Sequence, residues 1–141
     1  MQGSISLPDI TIAAVLGTGF SIQQNRINRV AFQNAVLKAL GVEENKTPIR
    51  VDLGSGKLYV TIPDSWGRAS GGLLEVKNVL SLSMSDQLRA MISEGLRTGQ
   101  PVNLVVSPRN TNISNPLRDS IEATGGSIYM FDPRTGLLRK W

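Results

Sequence analysis

Residues 62–79 read IPDSWGRASGGLLEVKNV, and this segment decides the organisation of the chain. Pro63-Asp64 closes one strand-like run, and Glu75-Val76-Lys77 lies in the next, after ten intervening residues. Because side chains in a strand alternate between two faces, Glu75 and Lys77 share one face and Val76 points into the opposite, apolar layer. Asp64 lies just past the neighbouring strand. A hairpin that folds back from Asp64 therefore brings the two carboxylates together.

This pattern is typical of a site that cleaves phosphodiesters with the help of a metal. Two carboxylates and a backbone carbonyl are hard oxygen ligands of the kind Mg²⁺ prefers. A lysine two residues further on can hold the attacking water and offset the charge of the transition state. Taken singly, Pro-Asp is a common turn and Glu-x-Lys is often a solvated strand face. Their combination on consecutive strands favours a nuclease-type site.

The composition excludes several other chemistries. The 141 residues include no histidine and no cysteine. Without them there is no imidazole base, no thiol nucleophile and no disulfide, which excludes histidine-metal nucleases and Ser-His-Asp hydrolases. The formal net charge of +4 suits a polyanionic partner such as DNA or RNA. No apolar run approaches the roughly 20 residues of a membrane span.

Outward from residues 62–79, the pattern predicts a mixed α/β domain of the α+β type. Apolar residues at helical spacing predict a first helix over residues 22–40, and Ser83 with Asp86 resembles a capping box for a second helix that ends at Gly99. Three short strands in a row favour an antiparallel meander. The predicted strands lie at residues 49–53, 58–62, 73–79, 102–106 and 128–131.

The remaining elements complete a single domain. The continuous apolar strand at residues 102–106 is expected in the sheet interior. Asn115-Pro116 begins a third helix, which closes at Gly125-Gly126. The order is helix, three-stranded meander, helix, strand, then an extra helix and strand. Residues 1–21 show no clear period and are predicted to be a lead-in or linker, so the domain is expected to occupy residues 22–141.

This arrangement resembles the PD-(D/E)xK nuclease superfamily, which has the restriction-endonuclease-like fold. More closely, it is similar to the restriction-endonuclease-like toxin domains at the C-termini of bacterial polymorphic toxins. The resemblance covers roughly residues 26–141. The segments that carry it are Ala31-Phe32-Gln33 to Leu40-Gly41, Ile62-Pro63-Asp64, Glu75 to Val79, Leu82-Ser83 to Gln87-Leu88-Arg89, Val105 to Arg109, and Phe131-Asp132-Pro133 to Trp141.

The resemblance implies a role for several residues. Asp64 and Glu75 would ligate the metal together with the Val76 carbonyl, and Lys77 would be the catalytic lysine. Gln87 matches a polar position beside such sites, with an ordinary exposed helix residue as the alternative. Arg89 and Arg109 are candidate phosphate contacts, and for Arg89 a surface salt bridge is the favoured role. Such domains often carry a glutamate on the first helix where this chain has Gln33, and an amide adds no negative charge to a metal site.

The function implied is that of a Mg²⁺-dependent endonuclease toxin, with Mn²⁺ as an alternative ion. It would be delivered by the producing bacterium, hydrolyse DNA in the cytoplasm of a competing cell, and be neutralised by an immunity protein, which the basic charge suggests is acidic. Two alternatives remain open: an RNase, such as one that cleaves transfer RNA, and a non-catalytic nucleic-acid-binding module that uses Arg109, Arg118 and Arg139. A purely structural domain is the least favoured.

Overall fold

The computed structural model describes the backbone of residues 22–141 and the side chains of residues 28–141. The predicted lead-in, residues 1–21, lies outside the described residues. The described part contains three α-helices, α1 (Ile22–Leu40), α2 (Asp86–Thr98) and α3 (Asn115–Ala123). Its nine strands are β1 (Ile49–Asp52), β2 (Leu58–Thr61), β3 (Ser65–Gly67), β4 (Gly72–Lys77), β5 (Ser81–Leu82), β6 (Val102–Val106), β7 (Asn112–Ile113), β8 (Ile128–Asp132) and β9 (Leu137–Lys140).

A five-stranded mixed sheet forms the centre, in the order β3-β4-β6-β8-β9. Strands β4, β6 and β8 run parallel, and the edge strands β3 and β9 are antiparallel to their neighbours. The predicted interior position of the strand at residues 102–106 is confirmed, because β6 has two strands on either side. Parallel strands must be covered on both faces, which explains why β4 is buried from Gly72 to Val76.

The two faces of this sheet support separate apolar clusters. On one face, α1 packs Phe32, Val36 and Leu37 against Leu74 and Val76 of β4. On the other face, α2, α3 and the β1–β2 hairpin form the larger cluster. Its central members include Leu73, Leu88, Met91, Leu104, Val106, Leu117 and Ile121. Helices on both sides of a mixed sheet confirm the predicted α+β fold class.

The strand pairing differs from the predicted three-stranded meander. Strands β1 and β2 form a separate two-stranded sheet that packs on α2, and the antiparallel partner of β4 is β3. Pro63 follows β2 and has no N–H to donate, so the ladder of β2 ends there and the chain changes direction. Strand β3 and a short 3₁₀ turn, Arg68–Ser70, occupy a segment where no strand was predicted.

Helix boundaries also test the sequence analysis. Helix α1 has its predicted bounds, and α2 ends at Gly99, which adopts a left-handed conformation. The capping box predicted at Ser83 is wrong. The N-cap is Ser85, whose hydroxyl accepts from the Leu88 N–H, because the chain up to Leu82 belongs to β5. No helix within residues 22–141 has the length and apolarity to cross a membrane.

Candidate active site

Three polar side chains form a hydrogen-bonded chain on one face of β4. Lys77 Nζ lies 2.7 Å from Gln87 Oε1, to which it donates, and Gln87 Nε2 donates to Glu75 Oε2 over 2.8 Å. The same Lys77 nitrogen lies 3.3 Å from Glu75 Oε2. Gln87 belongs to the first turn of α2, so the helix holds the amide above the strand. The amide fixes the lysine and the carboxylate relative to each other.

The Glu75 carboxylate is almost completely buried, with 2% of the residue exposed. Its Oε1 atom has no hydrogen-bond partner among the described residues. Burial, together with the smaller effect of the neighbouring Asp64 charge, raises the pKa of Glu75 to about 8, although Lys77 acts in the opposite direction. The ion pair therefore compensates only part of the cost of burying this carboxylate.

Asp64 reaches the same part of β4. It directly precedes β3, the strand that pairs with β4. Its Oδ2 accepts the Val76 N–H over 2.7 Å, in the place where a further residue of β3 would pair. The N–H and C=O of one strand residue point toward the same neighbour, so the Val76 carbonyl also faces this edge. Burial raises the pKa of Asp64, while the Val76 N–H and the charge of Lys77 lower it. Two carboxylates and one carbonyl thus converge at the edge of the sheet.

Asn45 is a positioning residue that the sequence analysis missed. Its backbone N–H donates to the Asp64 carbonyl over 2.9 Å, and its Nδ2 donates to the Pro63 carbonyl over 3.0 Å. The Asn45 Oδ1 also accepts the Thr47 N–H, which closes a tight turn. An asparagine in the polar run between α1 and β1 is a turn signal, but nothing local indicates that this turn holds the segment around Asp64.

The other predicted site residues are not brought into this cluster. Arg89 lies two positions after Gln87, about 200° around the helix, and pairs instead with Asp86 over 2.6 Å. Arg109 is exposed in the turn after β6. Gln33 is half-buried on α1, next to Phe32, which packs on the opposite face of the sheet. No hydrogen bond of the described residues connects the Gln33 side chain to the carboxylates.

The donor set fits a hard divalent cation. The structure describes no group of three or more acidic, histidine or cysteine side chains that could hold a metal. A metal site at this edge of the sheet would therefore use two carboxylates and a backbone oxygen. Oxygen donors match Mg²⁺ and Mn²⁺. The unpartnered Glu75 Oε1 and the pKa values of both acids, raised mainly by burial, indicate that the described side chains do not fully compensate the cost of ionising the two carboxyl groups.

A mixed sheet flanked by helices, with an acid just before β3 and Glu-x-Lys on the paired strand β4, defines the class of restriction-endonuclease-like domains. The family described as restriction endonuclease fold toxin 7 matches residues 33–117, which is more than half of the chain. The chain belongs to this family. No curated protein and no solved structure shows a significant match to it. The fold implies a nuclease acting on nucleic acid, and such folds commonly use divalent metals.

The buried acid predicts a pH dependence of stability. The pKa of Glu75 is higher in the folded than in the unfolded protein. The stability that this residue contributes is therefore fully present below the unfolded pKa and is lost as pH rises toward 8. In EDTA, we compare the free energy of unfolding of Glu75→Gln with that of wild type at each pH. This difference should favour the variant by about 2–4 kcal/mol more at pH 8 than at pH 5.

Urea denaturation from pH 5 to 9 measures this difference, with Glu122→Gln on the exposed surface of α3 as the control. The control removes the same charge without relieving a buried one, so its curve should remain parallel to that of the wild type. Parallel curves for wild type and Glu75→Gln would contradict the raised pKa of Glu75.

Proposed function

We propose that this domain is a Mg²⁺-dependent endonuclease that hydrolyses DNA, with Mn²⁺ as an alternative ion. The observation that carries the proposal is the Lys77–Gln87–Glu75 hydrogen-bonded chain beside Asp64. In a structural role, a buried acid with one unpartnered oxygen is costly, and an apolar residue would pack at least as well. Such an arrangement is favoured where the carboxylate binds a cation.

Asp64, Glu75 and the Val76 carbonyl would hold the metal. When bound, the ion supplies positive charge to the phosphate in the transition state and lowers the pKa of a water molecule. Asp64 is held in place by the Val76 N–H and by the turn at Asn45. Glu75 is oriented by the Gln87 amide. The chain thus arranges its oxygen ligands before the ion arrives, which limits the reorganisation that binding requires.

Lys77 is the proposed catalytic lysine. Two of its three ammonium hydrogens can be directed to Gln87 and Glu75, and the side chain is 24% exposed, so the remaining hydrogen can meet water or a phosphate oxygen. From this position the ammonium orients the attacking water and offsets the charge that develops on the phosphate oxygens. Gln87 keeps the ammonium in place, and its proposed role is positioning.

The cleavage test compares wild type with Asp64→Asn and Lys77→Met on supercoiled plasmid and on total RNA, in Mg²⁺ and in EDTA. We expect cleavage of plasmid only in Mg²⁺ and a loss of at least about 100-fold in each variant, because each removes a ligand or a charge-stabilising group. Asp119→Asn and Lys57→Met, on exposed surface, are the matched controls and should retain activity.

Each other result has a definite meaning. Cleavage in EDTA, or full activity in the Asp64→Asn and Lys77→Met variants, would overturn the proposed mechanism. Cleavage of RNA alone would make the domain an RNase. Binding without cleavage of either nucleic acid would support a non-catalytic module.

Gln33 lies outside the carboxylate cluster, but it occupies the position at which related domains often carry a glutamate, and its proposed role is to influence the affinity for the metal. If it does, Gln33→Glu adds negative charge, and less Mg²⁺ should be needed for half-maximal cleavage. Asn34→Asp, the adjacent exposed position on α1, makes the same charge change and is the control. A Mg²⁺ titration of plasmid cleavage compares the two. An unchanged titration for Gln33→Glu would remove this residue from the site.

The toxin family supports a biological setting for this activity. We propose that the domain is delivered by a producing bacterium and acts in the cytoplasm of a competing cell, so that the producer needs an immunity protein. The formal net charge of +4 favours an acidic inhibitor. Its affinity, measured by calorimetry, should fall steeply between low and high salt. An affinity insensitive to salt would contradict this expectation.

A further inference from the structure

The register of the central sheet connects the candidate active site to a second polar region. Lys77 pairs with Val106, Val106 with Met130, and Met130 with Arg139. Residues that pair directly across a sheet project from the same face, so Lys77 and Arg139 share a face. Three strand spacings of about 4.8 Å place their backbones about 14 Å apart. Arg139 therefore lies on the side of the sheet that carries the candidate active site.

A cavity of about 300 Å³ opens at this second region. Its lining includes Pro108, Met130 and Thr135, together with the arginines at positions 134 and 139, and none of the residues of the carboxylate cluster. A backbone contact nevertheless links the lining of the cavity to β4 at the carboxyl end of β6. The Ser107 N–H donates to the Lys77 carbonyl over 3.2 Å, and Pro108 is the next residue.

The charges around the cavity favour an anion. Arg139 makes no ion pair with a described residue, and its guanidinium donates to the Met130 sulfur over 3.8 Å. Arg134 is 70% exposed at its side chain and lies 3.5 Å from the Asp132 carboxylate. That carboxylate also accepts the Arg134 backbone N–H over 2.9 Å, so it caps the turn. The cavity lining thus carries two guanidinium groups and one carboxylate, which leaves it with net positive charge.

We propose that Arg134 and Arg139 form a second phosphate-binding site for the backbone of DNA. The separation of about 14 Å corresponds to about four base-pair steps along the axis of B-form DNA, at about 3.4 Å of axial rise per step. A bound duplex would follow the carboxyl ends of β4, β6 and β8, where Arg109 is exposed between the two sites. A guanidinium suits this role because its planar donors match phosphate oxygens.

This inference extends the proposed function, since the first site is the one assigned to cleavage. Both arginines lie beyond residue 117, where the family match ends. The second site therefore belongs to the part of the chain that the family match does not cover, and it would determine how a long substrate is held rather than how the phosphodiester is cut.

Binding is the first test, because it requires no cleavage. Fluorescence anisotropy of a labelled 16-base-pair DNA duplex in EDTA compares wild type with the Arg134→Gln, Arg139→Gln double variant. We expect about tenfold or greater loss of affinity, and a salt slope reduced by about one to two, because each lost phosphate contact removes about 0.9 from the slope. An RNA duplex of the same sequence reports whether the site discriminates between the two backbones.

The matched control is the Arg50→Gln, Arg68→Gln double variant. It removes the same charge from exposed positions on β1 and near the amino end of β4, away from the cavity. We expect its affinity to remain within about threefold of wild type. Arg139→Lys keeps the charge but loses the planar donors, so its affinity for the duplex should lie between those of wild type and the double variant. This variant also controls for misfolding of the double variant.

A small substrate separates this inference from the proposed function. The p-nitrophenyl ester of thymidine 5′-phosphate carries a single phosphate, so it can occupy the first site but cannot place a second phosphate at the arginines. Lys77→Met should impair cleavage of both this ester and plasmid, whereas the Arg134→Gln, Arg139→Gln variant should impair cleavage of plasmid only.

The outcomes are distinguishable. Weaker DNA binding by this variant without any metal-dependent cleavage by wild type would leave the second site standing and overturn the nuclease mechanism. Normal cleavage, together with DNA binding equal to that of the control variant, would overturn the second site. The absence of DNA binding by wild type would overturn it as well.

Discussion

Glu75 places a carboxylate inside the central sheet, on a strand where its neighbours Leu74 and Val76 are buried and apolar. Removing a charge from water costs free energy unless partners replace the lost hydration. Lys77 and Gln87 meet only Oε2, and Oε1 is left without a described partner. The rest of the fold must be stable enough to offset the free energy of burying this carboxylate. The two apolar clusters that cover both faces of the sheet provide that stability.

The second acid is positioned by backbone groups rather than by other side-chain charges. The Val76 N–H holds Asp64 Oδ2, and the turn at Asn45 holds the Asp64 and Pro63 carbonyls from the other side. Backbone donors are fixed by the strand and the turn, so they orient a carboxylate with little loss of side-chain entropy. The termination of β2 at Pro63 and the shortness of β3 leave the edge of β4 open at the point where Asp64 approaches.

Much of the fold could be predicted because it follows local patterns. The bounds of α1, the interior position of β6 and the end of α2 depend on periodicity and on a glycine after the last turn. The errors have both long-range and local causes. The meander was wrong because β3 pairs with β4 and excludes β2. Strand β9 was missed because its four residues, LLRK, are all exposed and do not alternate between apolar and polar. The predicted cap at Ser83 was wrong because a nearby serine, Ser85, is the N-cap of α2.

The sequence alone determined the available chemistry and the local geometry of β4. Without histidine or cysteine, a hydrolytic site must use carboxylates, lysine and hard cations, and strand alternation places Glu75 and Lys77 on one face. Only the tertiary structure decided that Gln87 bridges those two side chains, that Asp64 binds the Val76 N–H, and that Arg139 lies in the same row as Lys77. These contacts depend on strand register and helix docking. Both are set by which distant apolar surfaces bury each other, and a local pattern does not encode that choice.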